Sequence, residues 1–132
     1  MDYTTNTQIA LVSGFLTPRG IALDIANNRY YVANYSHNSV SIMDYTTNTQ
    51  IALVSGFSAP YGIALDIANN RYYVCNYSSA SVRIMDYTTN AQIALITGFS
   101  GPIGIALDIA NNRYYVCNYA SNTVYIVTYS LG

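Results

Sequence analysis

Short apolar runs alternate with turn residues along the whole chain, and the pattern returns every 42 residues. Residues 1–42, 43–84 and 85–126 align without gaps, leaving a tail at 127–132. A fixed period of this size is the signature of a repeat architecture, in which each unit buries its apolar faces against its neighbours. The chain therefore reads as a single repeat domain over 1–132.

Within the first unit, Thr7 to Ser13 is apolar and rich in β-branched residues, which predicts a strand. Gly14 to Gly20 is punctuated by Gly and Pro and predicts a loop. Gly20 to Ile25 predicts a second strand and Ala26-Asn27-Asn28 a tight turn, because Asn tolerates positive φ. Arg29 to Tyr35, dense in Tyr and Val, predicts a third strand. Ser36 to Ser39 predicts a polar loop, Val40 to Tyr45 a fourth strand, and Thr46 to Asn48 the turn into the next unit. No window carries the i, i+3, i+4, i+7 spacing of an amphipathic helix.

Several of these strands are apolar on both faces. Ile21, Ala22 and Leu23 run consecutively, as do Ile9 to Val12. A sheet with one wet face would alternate, so these runs predict sheets covered on both sides. Antiparallel sheets stacked radially have that property, and the fold class expected is an all-β propeller built from blades of four antiparallel strands.

Residue for residue, the units resemble the NHL-repeat and YVTN-type propellers. Pro18-x-Gly20-Ile-Ala-Leu-Asp24 matches the NHL opening and recurs at Pro60 to Asp66 and Pro102 to Asp108. Tyr31-Val-Ala-Asn34, Asn38-Ser-Val-Ser-Ile42 and Thr47-Asn-Thr49 are closer to the YVTN pattern. Asn34, Asn76 and Asn118 stand where NHL repeats usually carry Asp, and Ser39, Ser81 and Thr123 where many carry Arg. Both departures remove charge from one end of the blade. The resemblance implies a propeller scaffold and, since NHL-like rings commonly have six blades, a six-bladed ring. It does not imply a ligand, because propeller functions are grafted onto the scaffold.

Three blades' worth of chain cannot close such a ring. The sequence opens before an outermost strand and runs out after the strand equivalent to Val40 to Tyr45 in its last unit, Val124 to Tyr129, which would be the third strand of its blade. The expected partner is a second copy, each chain donating Thr7 to Ser13 to the other's last blade in a homodimer. A nine-bladed trimer and a fragment of a longer chain are the alternatives.

Composition narrows the function. The charged side chains are five Arg and six Asp, with a net charge of −1, and no Lys or Glu occurs. No Lys/Arg cluster is present to displace counterions from phosphates, which argues against nucleic acid as a partner. No run approaches 18 apolar residues, so no transmembrane helix is expected, and no basic segment followed by an apolar run marks a signal peptide. Cys75 and Cys117 occupy one repeat position that is Ala33 in the first unit. They read as small buried hydrophobes rather than metal or redox groups, and as unpaired thiols they fit a reducing compartment.

The copies differ at 12 of the 42 offsets, and the differences are not scattered. Seven fall in the two loops that an up-and-down blade presents at one end. Among them are Arg19/Tyr61/Ile103, between Pro and Gly at the expected channel mouth, and His37/Ser79/Ser121. The turns at the other end are identical in every copy. A diversified face on a rigid scaffold points to binding, although tight Asn turns also resist change for geometric reasons. Arg19, Tyr61 and Ile103 are the candidate binding residues, joined by Tyr35, Tyr77 and Tyr119 at strand ends and by His37. A small molecule, glycan or peptide is the expected ligand class, and a purely structural, self-assembling module is the alternative.

Nothing points to catalysis. His37 is the only His, in a polar loop without a second His or a nucleophile elbow. The reading is of a protein that is not an enzyme and needs no cofactor, with a propeller lyase ranked last. Asp24, Asp66 and Asp108 recur at the end of the inner strand and would form a six-Asp ring in a closed dimer. Such a ring could attract Ca²⁺. The plainer expectation is that each Asp accepts hydrogen bonds from turn amides or pairs with the Arg five positions on.

Overall fold

The computed structural model describes residues 7–130. Its eleven strands form three antiparallel sheets. The first blade is β1 (Pro18–Asp24), β2 (Arg29–Asn34), β3 (Ser39–Asp44) and β4 (Gln50–Ser55). The second is β5 (Pro60–Asp66), β6 (Arg71–Asn76), β7 (Ser81–Asp86) and β8 (Gln92–Thr97). The third has only β9 (Pro102–Asp108), β10 (Arg113–Asn118) and β11 (Thr123–Thr128). In each sheet the strands are neighbours in sequence order, so β4 and β8, which belong by sequence to the following unit, complete the preceding blade.

Two expectations need correction. Thr7 to Ser13 is not a strand in the single chain. Its counterparts β4 and β8 pair with β3 and β7, whereas among the described residues Thr7 to Ser13 pairs with no third strand of a blade. The inner strand also begins at Pro18 rather than at Gly20, which places Arg19, Tyr61 and Ile103 inside strands rather than in the loop.

The turns follow from Asn chemistry. Asn28, Asn70 and Asn112 end single 3-10 turns with φ of 59°, 57° and 52°. Asn tolerates this left-handed conformation better than other non-glycine residues. Asn48 and Asn90 do the same in the turns leading to β4 and β8, at 58° and 60°.

The inner strands β1, β5 and β9 pack side by side. A Cβ on Gly20 would lie 1.7 Å from the Tyr61 carbonyl oxygen, and one on Gly62 would lie 2.7 Å from that of Ile103. Only glycine allows backbones this close. Between blades 1 and 2 the core holds Tyr31, Ala33, Val40, Ile42 and Phe57 against Ile63, Tyr72, Val74 and Met85. Between blades 2 and 3 the same positions recur, with Tyr73, Cys75, Val82, Ile84 and Phe99 against Tyr114 and Val116. Sheets apolar on both faces thus sandwich one another, as the unbroken apolar runs predict.

Each blade also has a buried polar staple near the loop end. The Asn34 Oδ1 accepts from the Leu16 amide at 3.5 Å, and its Nδ2 donates to Ser39 Oγ at 3.2 Å and Ser41 Oγ at 2.8 Å. Asn76 and Asn118 repeat the arrangement with Ser58 and Ser81, and with Ser100 and Thr123. The two departures from the NHL pattern are therefore in contact. An Asp at this site could only accept and would need a cationic neighbour, whereas an Asn both accepts and donates and is satisfied by a hydroxyl.

Candidate binding cleft at the loop face

The residue between Pro and Gly of each inner strand sits at a break in the strand register. Pro18 faces Asn34 and Gly20 faces Ala33, leaving Arg19 as the extra residue of a bulge. Register shifts span Tyr61 in β5 and Ile103 in β9. A bulge turns a side chain away from the pleat, and here all three reach the same place. Arg19, Tyr61 and Ile103 line one cleft of about 230 Å³ together with Tyr35, Tyr77 and Tyr119, which follow the second strand of each blade. Six of the seven candidate residues thus converge. His37 does not; it is exposed on the neighbouring turn, its Nδ1 3.0 Å from Ser39 Oγ.

The cleft is an aromatic cluster around a cation. The Tyr35, Tyr61 and Tyr77 rings lie 6.1 to 6.4 Å from one another, with Tyr35 and Tyr61 edge to face. The Arg19 guanidinium lies over Tyr35 at 4.5 Å and over Tyr61 at 5.5 Å. These contacts cross from blade 1 to blade 2, so the tyrosines serve inter-blade packing and line the cleft at once. Tyr119, with no following blade, is 66% exposed.

At the opposite end lie the acids. Asp24 accepts from Asn27 Nδ2 at 3.0 and 3.2 Å and from the Tyr87 hydroxyl of blade 2. Asp66 and Asp108 accept from Asn69 and Asn111 in the same way. The expected turn-amide bonds thus come from side-chain amides. Pairing with the Arg five positions on occurs at Asp108, whose Oδ2 lies 3.6 Å from Arg113 Nε. In blade 1 the corresponding Arg29 stacks instead on Tyr87 at 5.2 Å. This cross-blade tyrosine could not be picked out from the sequence, because the position is Tyr in every copy and, as Tyr129, in the tail as well. Among the described residues, no three His, Cys, Asp or Glu side chains gather as a metal site.

A larger groove, of about 830 Å³, opens between the N-terminal segment and blade 1. Its walls include Ile9, Val12, Phe15, Ile21, Leu23, Tyr30, Val32 and Tyr45. It was not foreseen from the sequence, and it is the uncovered face of a blade rather than a pocket at the mouth.

The family model for the NHL repeat matches residues 15–43, which contain the bulge, the first staple and the Asn28 turn. The chain carries NHL-type repeats. Only one unit is matched, but the other two NHL-type units repeat its sequence at a period of 42. Among solved structures, the blades are similar to a β-propeller chain of Kuenenia stuttgartiensis hydrazine synthase. The TM-score is 0.74 at 22% identity, covering 94% of this chain and 36% of that one. The likeness is one of fold, and this chain spans about a third of that neighbour's length. No curated protein matches. The NHL-type blades thus form a β-propeller module in which one varied position, Arg19/Tyr61/Ile103, meets three invariant tyrosines at one cleft.

Proposed function

We propose that this chain is a non-catalytic, self-assembling propeller module. Two copies close a six-bladed ring, and the loop-face cleft is its binding surface. The observation that carries the assembly is a mismatch in burial between chemically equivalent residues. Tyr31, Ala33, Val40 and Ile42 of blade 1 are buried by blade 2, and Tyr73, Cys75, Val82 and Ile84 by blade 3. Their counterparts on blade 3 include Cys117, Val124 and Ile126, which are exposed, the last two at 58% each. On the other open face, Ile21 and Leu23 of blade 1 are 64% and 58% exposed, whereas the equivalent Ile63 is buried.

The two open faces are thus copies of the two sides of a seam that the chain already makes twice, although Val12 and Phe15 cover Tyr30, Val32 and Met43 on blade 1 and would rearrange on closure. Covering each such aliphatic side chain is worth about 1–2 kcal/mol. Following the pairing of β3 with β4, a second copy would place Ser13, Val12, Leu11 and Ala10 opposite Thr123, Val124, Tyr125 and Ile126. Tyr45 would then meet Asp108 as Tyr87 meets Asp24.

Light scattering on the purified 132-residue chain tests this. Twice the 14.5 kDa mass is expected. Leu11→Pro should return the chain to monomer, because proline removes a ladder donor, yet it should leave each blade folded, since Leu11 is in no strand of the single chain. A monomeric parent chain sinks the ring, and would fit blades supplied by a longer polypeptide. A mass of three chains replaces the six-bladed ring with a nine-bladed one.

The cleft as a binding surface is supported by the meeting of Arg19, Tyr61 and Ile103, one repeat position that differs in all three units, with the invariant Tyr35, Tyr77 and Tyr119. The Ser39 hydroxyl beside His37 is buried, held by Asn34 and outside the cleft, which supports a non-catalytic role.

A further inference from the structure

We propose that the loop-face cleft takes a small ring-bearing carboxylate, the ring stacking on tyrosine and the carboxylate meeting Arg19. The proposal rests on the cleft being the binding surface, but it does not require ring closure, because six lining residues come from one chain.

The sign of the ligand follows from how charge is distributed along the blades. Asp24, Asp66 and Asp108 end the inner strands, and Asp44 and Asp86 end the third strands, all at the end away from the cleft. Asp44 and Asp86 are further occupied there, accepting hydrogen bonds from Thr46 and Thr47 and from Thr88 and Thr89. Among the cleft residues Arg19 is the only charge. No carboxylate of the described residues lies within ion-pair distance of it; the ion pair they form is Arg113 with Asp108. Other arginines have partners beyond a ring: Arg83 donates to Gln92 Oε1 at 2.6 Å while stacking on Phe57. Arg19 is exposed and lies over the Tyr35 and Tyr61 rings.

The Arg19 guanidinium lies 4.5 Å over the Tyr35 ring, and the Tyr61 ring, at 85° to that of Tyr35, is 5.5 Å from it; no carboxylate of the described residues occupies its N–H donors, whose fork matches a carboxylate. The stacking limits its rotamers, so less entropy is lost when an anion docks. The surrounding phenols provide π faces for a sugar or aromatic ring, and hydroxyls for its polar rim. A cleft of about 230 Å³ limits the ligand to roughly one ring with its substituents.

Titration calorimetry on the intact chain tests this, with benzoate and glucuronate as probes and benzyl alcohol and glucose as their uncharged counterparts. At low salt, one carboxylate should bind in the millimolar range, at least tenfold more tightly than its neutral counterpart. Which one binds distinguishes an aromatic from a sugar acid. Arg19→Gln should remove that difference. Ile103→Arg, which adds a guanidinium at the equivalent bulge of blade 3, should tighten carboxylate binding several-fold and provides a gain that a folding defect cannot imitate. Equal binding of charged and neutral probes, or an unchanged Arg19→Gln variant, overturns the carboxylate assignment and leaves the cleft a binding surface. Binding of no probe overturns both. Light scattering on the same samples reads assembly separately.

Discussion

Adding one methyl group to each of two equivalent glycines should destabilise an open chain at one and leave it unchanged at the other, but have the same consequence at both in a closed ring. In Gly62→Ala the new Cβ would sit 2.7 Å from the Ile103 carbonyl oxygen and 3.1 Å from the Gly104 Cα, both backbone atoms. Restoring ordinary contact at about 3.4 Å requires the inner strands β5 and β9 to part by about 0.7 Å. A gap of that size forfeits a quarter to a half of the dispersion energy of the atoms that line it. The affected seam is the one holding Tyr73, Val82, Phe99 and Tyr114. Overpacking of this kind costs about 1–3 kcal/mol, which for a domain of this size lowers Tm by roughly 4–12 °C.

At Gly104 the added Cβ would meet only the Cys117 Cβ and Sγ, both at 3.8 Å, an ordinary contact. Gly104→Ala should therefore leave an open chain unchanged. In a closed ring the repeat geometry brings the Arg19 carbonyl of a second copy where Ile103 meets Gly62, and the same substitution should cost about 1–3 kcal/mol at each of the dimer's two seams. Calorimetric melting and light scattering of both variants over a concentration series separate the cases. A Gly104→Ala chain as dimeric and as stable as its parent refutes closure through a repeat-like seam. A Gly62→Ala chain that melts with the parent refutes the packing argument itself.

Thiol labelling is a quicker test of the same seam. Cys75 is buried and its thiol is pushed up to about 12 by that burial, so it should not react at neutral pH; Cys117 is exposed in the single chain and should react with one equivalent of reagent unless a second copy covers it. Ala80 holds a left-handed φ of 53° where the other copies have Asn38 and Asn122, and Asn38 Oδ1 also accepts from the Ala59 amide at 2.8 Å. Ala80→Asn should therefore stabilise blade 2 by about 1 kcal/mol, read as a rise in Tm; no rise rejects that assignment. Backbone hydrogen bonds from the threonine turns hold the Asp44 and Asp86 carboxyls below their ordinary value. Their stabilisation is present above the unfolded carboxylate pKa and is lost as pH falls through the lower folded values. Melting temperature should thus decline on acidification below about pH 4, and Asp44→Asn should flatten that decline.

The architecture was legible because its cause is periodic. Strands apolar on both faces, Asn at each turn and a 42-residue period admit few arrangements other than stacked sheets. The candidate cleft was legible for a different reason: three nearly identical units act as their own comparison, so Arg19, Tyr61 and Ile103 stand out. What could not be read was anything that depends on a neighbour. Thr7 to Ser13 has the composition of a strand, and β4 and β8 show that it can be one, but pairing requires an acceptor edge that the single chain does not offer it. The Tyr87 bond to Asp24 spans 63 residues and joins positions that never vary. The bulge at Arg19 is equally silent in sequence, since Pro-x-Gly fits a loop as well as a strand that breaks register.

Unequal flanking of the blades should appear as a gradient in local opening. Blade 2 is flanked on both sides, and β6 is buried from Tyr72 through Asn76; β10, of nearly the same sequence, is exposed at Cys117, and β11 is exposed along most of its length. In a linear array, the free energy of opening a unit includes each seam it must break. Amide hydrogen exchange in the single chain should therefore be slowest in β6 and fastest in β11, although the ladders within the two sheets have the same register. Protection would here report a unit's position in the stack, and hardly at all its own sequence.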